Sequence, residues 1–81
     1  MMIDRLKLYL TNEYNLTKTA MESNSLYIDK KNCVWYALQR GMGACQFATM
    51  DYSINQQEVY ELFEEWKSTL LELEDLQYET L

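Results

Sequence analysis

From Val59 to Leu73 the apolar side chains recur at steps of three and four, through Leu62, Phe63, Trp66 and Leu70. A helix turns about 100° per residue, so these six positions project from one side; on a strand they would scatter over both faces. Glu58, Glu61, Glu64, Glu65, Glu72, Asp75 and Glu79 fall on the opposite side, and the segment reads as an amphipathic helix with a broad core face. Just ahead of it, Ser53-Ile54-Asn55-Gln56 matches a capping box, in which a serine hydroxyl and a glutamine side chain satisfy each other's free backbone amides. The expected helix therefore covers 54–78. A narrower second stripe, Tyr60, Leu71 and Tyr78, exceeds what the core of a monomer requires, which makes it a candidate for packing on another helix or on a second copy.

A helix with so wide an apolar face needs a partner, and the stretch Cys33 to Met50 offers one. At the helical period Val34, Ala37, Leu38, Gly41, Ala44, Cys45 and Ala48 share a face, while Tyr36, Gln39, Arg40, Gly43 and Phe47 share the other. The first face is mostly small, so a neighbouring helix can approach its backbone closely. It is expected to receive Val59, Leu62, Phe63, Trp66 and Leu70. The alternative is an α+β fold with a hairpin over 33–49 turning at residues 40–43, because glycine permits positive φ and the aromatics favour strands. Both alternating sets, Cys33/Trp35/Ala37 and Val34/Tyr36/Leu38, are apolar, however, and a small domain rarely buries both faces of a hairpin. A helix over 32–49 follows, capped by Asp29 or Asn32, even though each interior glycine costs about 1 kcal/mol relative to alanine.

Ile3, Leu6, Leu10 and Tyr14 give a third amphipathic segment over 2–13, with Asn12 and Asn15 expected to end it. Between 16 and 31 the pattern weakens. Thr19 to Glu22 resembles a capping box, Ser23-Asn24-Ser25 favours a turn, and Leu16, Met21, Leu26 and Ile28 are expected to lean onto the core from an irregular connector. With no proline, no internal repeat and no linker, residues 1–81 read as one all-α domain of three main helices in a small bundle.

At 81 residues a single core is barely sufficient, so help from oligomerisation is a reasonable expectation. Two cysteines do not make a disulfide framework. On one helix Cys33 and Cys45 would stand about 18 Å apart, too far to bridge, and they are expected to be buried thiols. The first residues lack the long apolar core of a secretory signal, and no apolar run approaches membrane-spanning length, so the expected setting is cytoplasmic, without a membrane partner. The net charge of −6 is unevenly distributed. Residues 1–50 carry six basic and four acidic groups, whereas residues 51–81 carry nine acidic groups against Lys67 alone. Direct binding of nucleic acid is not expected of such a chain, because affinity for phosphates needs clustered lysine and arginine.

The chain contains no histidine, the commonest general base and metal ligand. Two cysteines without CxxC spacing do not make a zinc site, and Gly41-Met42-Gly43 lacks the lysine and hydroxyl residue of a phosphate loop. No cofactor, metal or catalytic residue is expected, and the reading is non-enzymatic. Two surfaces are candidates for binding a protein. The first is Tyr36, Arg40 and Phe47, which share one side of the central helix across the gap left by Gly43; tyrosine and arginine are enriched at binding hot spots. Its competing explanation is that Tyr36 and Phe47 simply cover Ile3, Leu6 and Leu10. The second is the acidic stripe, with Glu58, Glu61, Glu65, Glu72 and Asp75 as its main contacts for a basic partner surface. Its seven carboxylates spread over about 32 Å of helix, a spacing of the same order as the phosphates of a DNA strand.

The segment Gln39 to Phe47, QRGMGACQF, followed by the acidic YELFEEWKSTLLELE helix, resembles small acidic helical proteins of bacteriophages and other mobile elements over about the last 45 residues. In size and acidity the chain is similar to phage-encoded inhibitors of host defence, such as anti-CRISPR and DNA-mimic proteins; no residue role follows from the likeness. The resemblance implies an inhibitor that blocks a basic surface on a nucleic-acid-handling host protein. The alternative is a homodimeric structural or regulatory protein that associates through Tyr60, Leu71 and Tyr78 or through the Tyr36/Arg40/Phe47 face.

Overall fold

The computed structural model describes the backbone of residues 2–23 and 29–79 and the side chains within them as far as Asp75. Three helices, α1 (Met2–Glu22), α2 (Lys30–Ala48) and α3 (Gln56–Glu79), run up, down and up, each touching both others. The fold is all-α. There is no strand among the described residues, so the hairpin at 33–49 does not form.

The helix expected over 2–13 runs on for nine further residues. Asn12 and Asn15 are exposed and do not end it, because their propensity penalty, at most about 0.7 kcal/mol each, is outweighed by burying Thr17 and Met21. Thr17 sits one heptad beyond Leu10 and is 2% exposed, its hydroxyl donating to the Glu13 carbonyl at 2.7 Å. A short polar residue can occupy a core position when its one hydrogen is placed within its own helix. Thr19 and Glu22 consequently lie inside α1 rather than starting a helix, and much of the connector expected over 16–31 is helical. Met21 joins the core as expected, but Leu16 faces solvent. Leu26, Ile28 and most of the Ser23–Ser25 turn lie outside the described residues.

α2 begins at its expected cap. Asp29 accepts from the Asn32 backbone amide at 3.3 Å and from the Asn32 side chain at 3.0 Å, placing a negative charge where the first helical amides are unpaired. At its other end, Asp51 accepts from both the backbone amide (2.9 Å) and the hydroxyl (2.7 Å) of Ser53. Ser53 is therefore committed to the turn and does not cap α3. That role falls to Asn55, whose side-chain oxygen accepts from the amides of Gln57 (2.9 Å) and Glu58 (3.4 Å), so α3 starts at Gln56 rather than 54.

The core is built where the small face of α2 meets the wide stripe of α3. Val34, Ala37, Gly41, Cys45 and Ala48 are buried against Val59, Trp66, Leu70 and Leu73, with Ile3, Leu6 and Leu10 closing the third side. Gly41 has no positive φ; its requirement is space, since a Cβ there would overlap the ring carbons of Trp66. The same indole donates its Nε1–H to the Leu10 carbonyl at 2.7 Å in a buried contact. One side chain of α3 thus fits against the backbone of α2 and hydrogen-bonds the backbone of α1.

Candidate functional site

Packing the small face of α2 inward leaves Tyr36, Arg40 and Phe47 on the edge that borders α1. Phe47 is 68% exposed and Tyr36 45%, so neither serves to cover Ile3, Leu6 and Leu10, which are buried by the bundle itself. Trp35, also exposed, meets Tyr36 edge to face with ring centroids 5.4 Å apart. Gly43 leaves open space between Arg40 and Phe47, with no atom within 4 Å of where its Cβ would stand.

Arg40 donates from Nε to Glu13 of α1 at 2.8 Å. The Glu13 side chain is 13% exposed and the Arg40 side chain 50%. The terminal nitrogens of Arg40 make no hydrogen bond to a described residue, so the pair ties α2 to α1 while the outer end of the guanidinium stays available. Beside this pair, the outer seam between α1 and α2 forms an open groove of about 420 Å³. Its floor is Leu6, Ala44 and Ala48, its apolar walls are Met2, Tyr9 and Phe47, and Arg5 and Arg40 stand at its rims.

α1 contributes Met2 and Tyr9 to this seam, neither of them among the candidates expected from the sequence, and Leu16, expected in the core, continues the same edge. Met2, Tyr9 and Leu16 recur at intervals of seven and all three are exposed, Leu16 at 66%. That heptad spacing is the signal that finds them, because it marks a second edge alongside the core stripe of Ile3, Leu6 and Leu10.

The acidic candidate residues are also at the surface. Glu58, Glu61, Glu65, Glu72 and Asp75 are exposed on α3, as are Glu64 and Glu74, and none forms an ion pair with a described residue. Gln57 donates to Glu61 at 3.1 Å, a contact between neighbouring turns of one helix. Of the second stripe on α3, Tyr60 is 60% exposed and Leu71 is exposed, while the side chain of Tyr78 lies outside the described residues.

Both cysteines are free thiols. Burial pushes the Cys45 thiol above its ordinary range. Burial does the same for Cys33, with Asp29 adding to the shift and Arg40 opposing it, so neither sulfur is activated as a thiolate. Ser53 holds the Asp51 carboxyl below its usual range by donating two hydrogen bonds to it. Among the described residues no group of three or more cysteine, aspartate or glutamate side chains is placed to hold a metal ion. No described helix is long and apolar enough to cross a membrane. Comparisons with protein-family models, curated proteins and solved structures found no match for the chain.

Proposed function

We propose that this chain is a non-enzymatic protein-interaction module that binds its partner through the outer seam of α1 and α2. The observation that carries the reading is the exposure of Met2, Tyr9 and Phe47 around one groove of a domain whose core is already closed, with Tyr36 exposed one turn before Arg40 on α2. Solvent-exposed aromatic and aliphatic groups gathered on one face of a small domain contribute nothing to its core, and such patches mark interaction sites. Arg40 adds a directional donor of the kind that dominates hot spots, and Glu13 holds its stem in place before any partner arrives, which lowers the entropy cost of binding.

A second reading is favoured by a separate observation, the exposed carboxylates of α3, which form no ion pair with a described residue. Glu58, Glu61, Glu65, Glu72 and Asp75 form a face suited to a basic surface, as in an inhibitor from a phage or mobile element that occupies the channel of a nucleic-acid-handling protein. It ranks second because solvated carboxylates on an outer helical face also serve to keep a small protein soluble. A homodimer through Tyr60 and Leu71 ranks third.

Site-specific photocrosslinking separates these readings. A benzophenone amino acid placed at Phe47, and in a separate protein at Glu72, is irradiated in extract of the source cells. A discrete adduct from position 47 and none from position 72 is the expected result. An adduct from position 72 alone supports the acidic inhibitor, an adduct of twice the chain mass supports the homodimer, and no adduct from either position contradicts a binding role for both faces.

A further inference from the structure

We propose that the seam between α1 and α2 takes an acidic amphipathic helix from a partner protein, docked as a fourth helix of the bundle. The inference rests on the reading of that seam as the binding face and names what fills it. The groove is lined along about two turns of each helix, from Met2 to Tyr9 on α1 and from Arg40 to Ala48 on α2, an elongated contact that suits a helix laid along the seam. Its floor of alanine and leucine allows close approach, and Tyr9 and Phe47 flank the space that an apolar stripe would fill.

The charges decide the flanks of the occupant. Arg5 from α1 and Arg40 from α2 are the charged groups lining the groove, and no carboxylate lines it. Arg5 has no ion-pair partner among the described residues, and Arg40 spends only its Nε on Glu13, leaving its terminal nitrogens for an incoming carboxylate. In a triangle of mutually touching helices the outer seam of two lies opposite the third, so the acidic face of α3 is across the molecule. The molecule is 20 by 16 Å in cross-section, against a screening length of about 8 Å at physiological salt, so an acidic occupant responds to the arginines rather than to α3.

A second copy does not fit the same seam. Seam against seam would bring Arg5 and Arg40 towards their own duplicates, and the wide apolar stripe on the acidic helix of a second copy, Val59, Trp66 and Leu70, is buried; of its narrower stripe only Tyr60 and Leu71 are exposed among the described residues, eleven positions apart, too sparse to fill the groove continuously. An anionic membrane, which an exposed apolar face with two arginines could also meet, is the competing outcome of the test below.

The probe is a synthetic helical peptide of about 18 residues with leucines along one stripe and glutamates on both flanks. It is titrated into ¹⁵N-labelled protein beside a peptide with the same stripe and lysine flanks. The expected result is movement of the Tyr9, Arg40 and Phe47 amide signals by the glutamate peptide, with affinity at least about tenfold above that of the lysine peptide. Arg5→Glu is expected to abolish this preference while the protein stays folded by circular dichroism; Arg40→Glu, which also brings a charge against Glu13, serves as the second variant. Equal or tighter binding of the lysine peptide, or signals that move on α3 instead, overturns the proposal. So does sedimentation of the protein with phosphatidylglycerol vesicles while neither peptide binds, or a concentration-dependent doubling of mass lost on Phe47→Glu. If neither peptide binds although position 47 crosslinks to a partner, the binding face stands and the acidic helix is the wrong occupant.

Discussion

Trp66 donates its indole N–H to the backbone carbonyl of Leu10 across 2.7 Å of buried space, joining two helices 56 residues apart in sequence. Because the ring also occupies the space left by Gly41, this one residue fixes the spacing of all three helices. Trp66→Phe removes the donor and part of the ring but leaves Leu10 within its own helical ladder. The expected loss is about 2 kcal/mol, a hydrogen bond plus a partly filled cavity, measured by urea unfolding. Trp66→Ala should cost about 3–5 kcal/mol, enough to unfold much of the population of a domain this small.

The two glycines of α2 should respond in opposite directions. Gly43→Ala places a methyl group in open space on a helix and is expected to stabilise by up to about 1 kcal/mol. Gly41→Ala gains the same propensity but drives a Cβ into the Trp66 ring, which must shift bodily because the clash lies against a rigid indole. Overpacking of about 1–3 kcal/mol is expected to exceed the propensity gain and leave that variant less stable. Thermal midpoints of the pair, measured side by side, check the sign.

At the start of α3, Asn55→Ala removes the acceptor for two backbone amides and should cost about 1 kcal/mol. Ser53→Ala touches only the turn with Asp51 and is expected to change stability by less than half as much. A larger loss from Ser53 than from Asn55 would show that the serine caps the helix after all.

The thiols supply a dependence on pH. Burial raises both cysteine pKa values in the folded state, so the unfolded chain loses these protons first as pH rises. Stability from this source is fully present below the ordinary thiol pKa of 9.0 and declines as pH rises from there through the raised folded values. Unfolding free energies measured between pH 8 and 10.5 should fall more steeply for the native protein than for Cys45→Ala. Alkylation of Cys45 by iodoacetamide at pH 7.5 should be slow until the protein is denatured.

Much of the fold could be read from the spacing of apolar residues. The α3 stripe and the small face of α2 are strongly periodic, and one helix's wide face matches the other's narrow one. The extent of α1 could not be read in the same way, because its continuation depends on Thr17, a polar residue at a core position that is satisfied only by its bond to Glu13. The cap of α3 was displaced by two residues for a related reason: two overlapping polar signals, Ser53 and Asn55, compete, and Asp51 takes the serine. The Tyr36, Arg40 and Phe47 edge was legible as a group, but its exposure was not. Whether an aromatic at a helix edge is covered depends on how closely the neighbouring helix approaches, and that distance is set by the alanines and glycine of α2 packing against α1 and α3. Met2 and Tyr9 went unrecognised because the stronger core periodicity of α1 lies beside them, and Leu16 was expected in the core for want of the helix that carries it out to solvent.

The most direct measurement is a paired reading of stability and partner binding on the double variant Tyr36→Ser, Phe47→Glu. Phe47 is 68% exposed and Tyr36 45%, so the two changes together are expected to cost no more than about 1 kcal/mol and to lower the thermal midpoint by no more than about 4–8 °C, leaving the protein folded, while the crosslinked or co-purified partner is lost. A variant that unfolds would place these residues in the core, and a folded variant that keeps its partner would show that binding lies elsewhere, with the acidic face of α3 next to be tested.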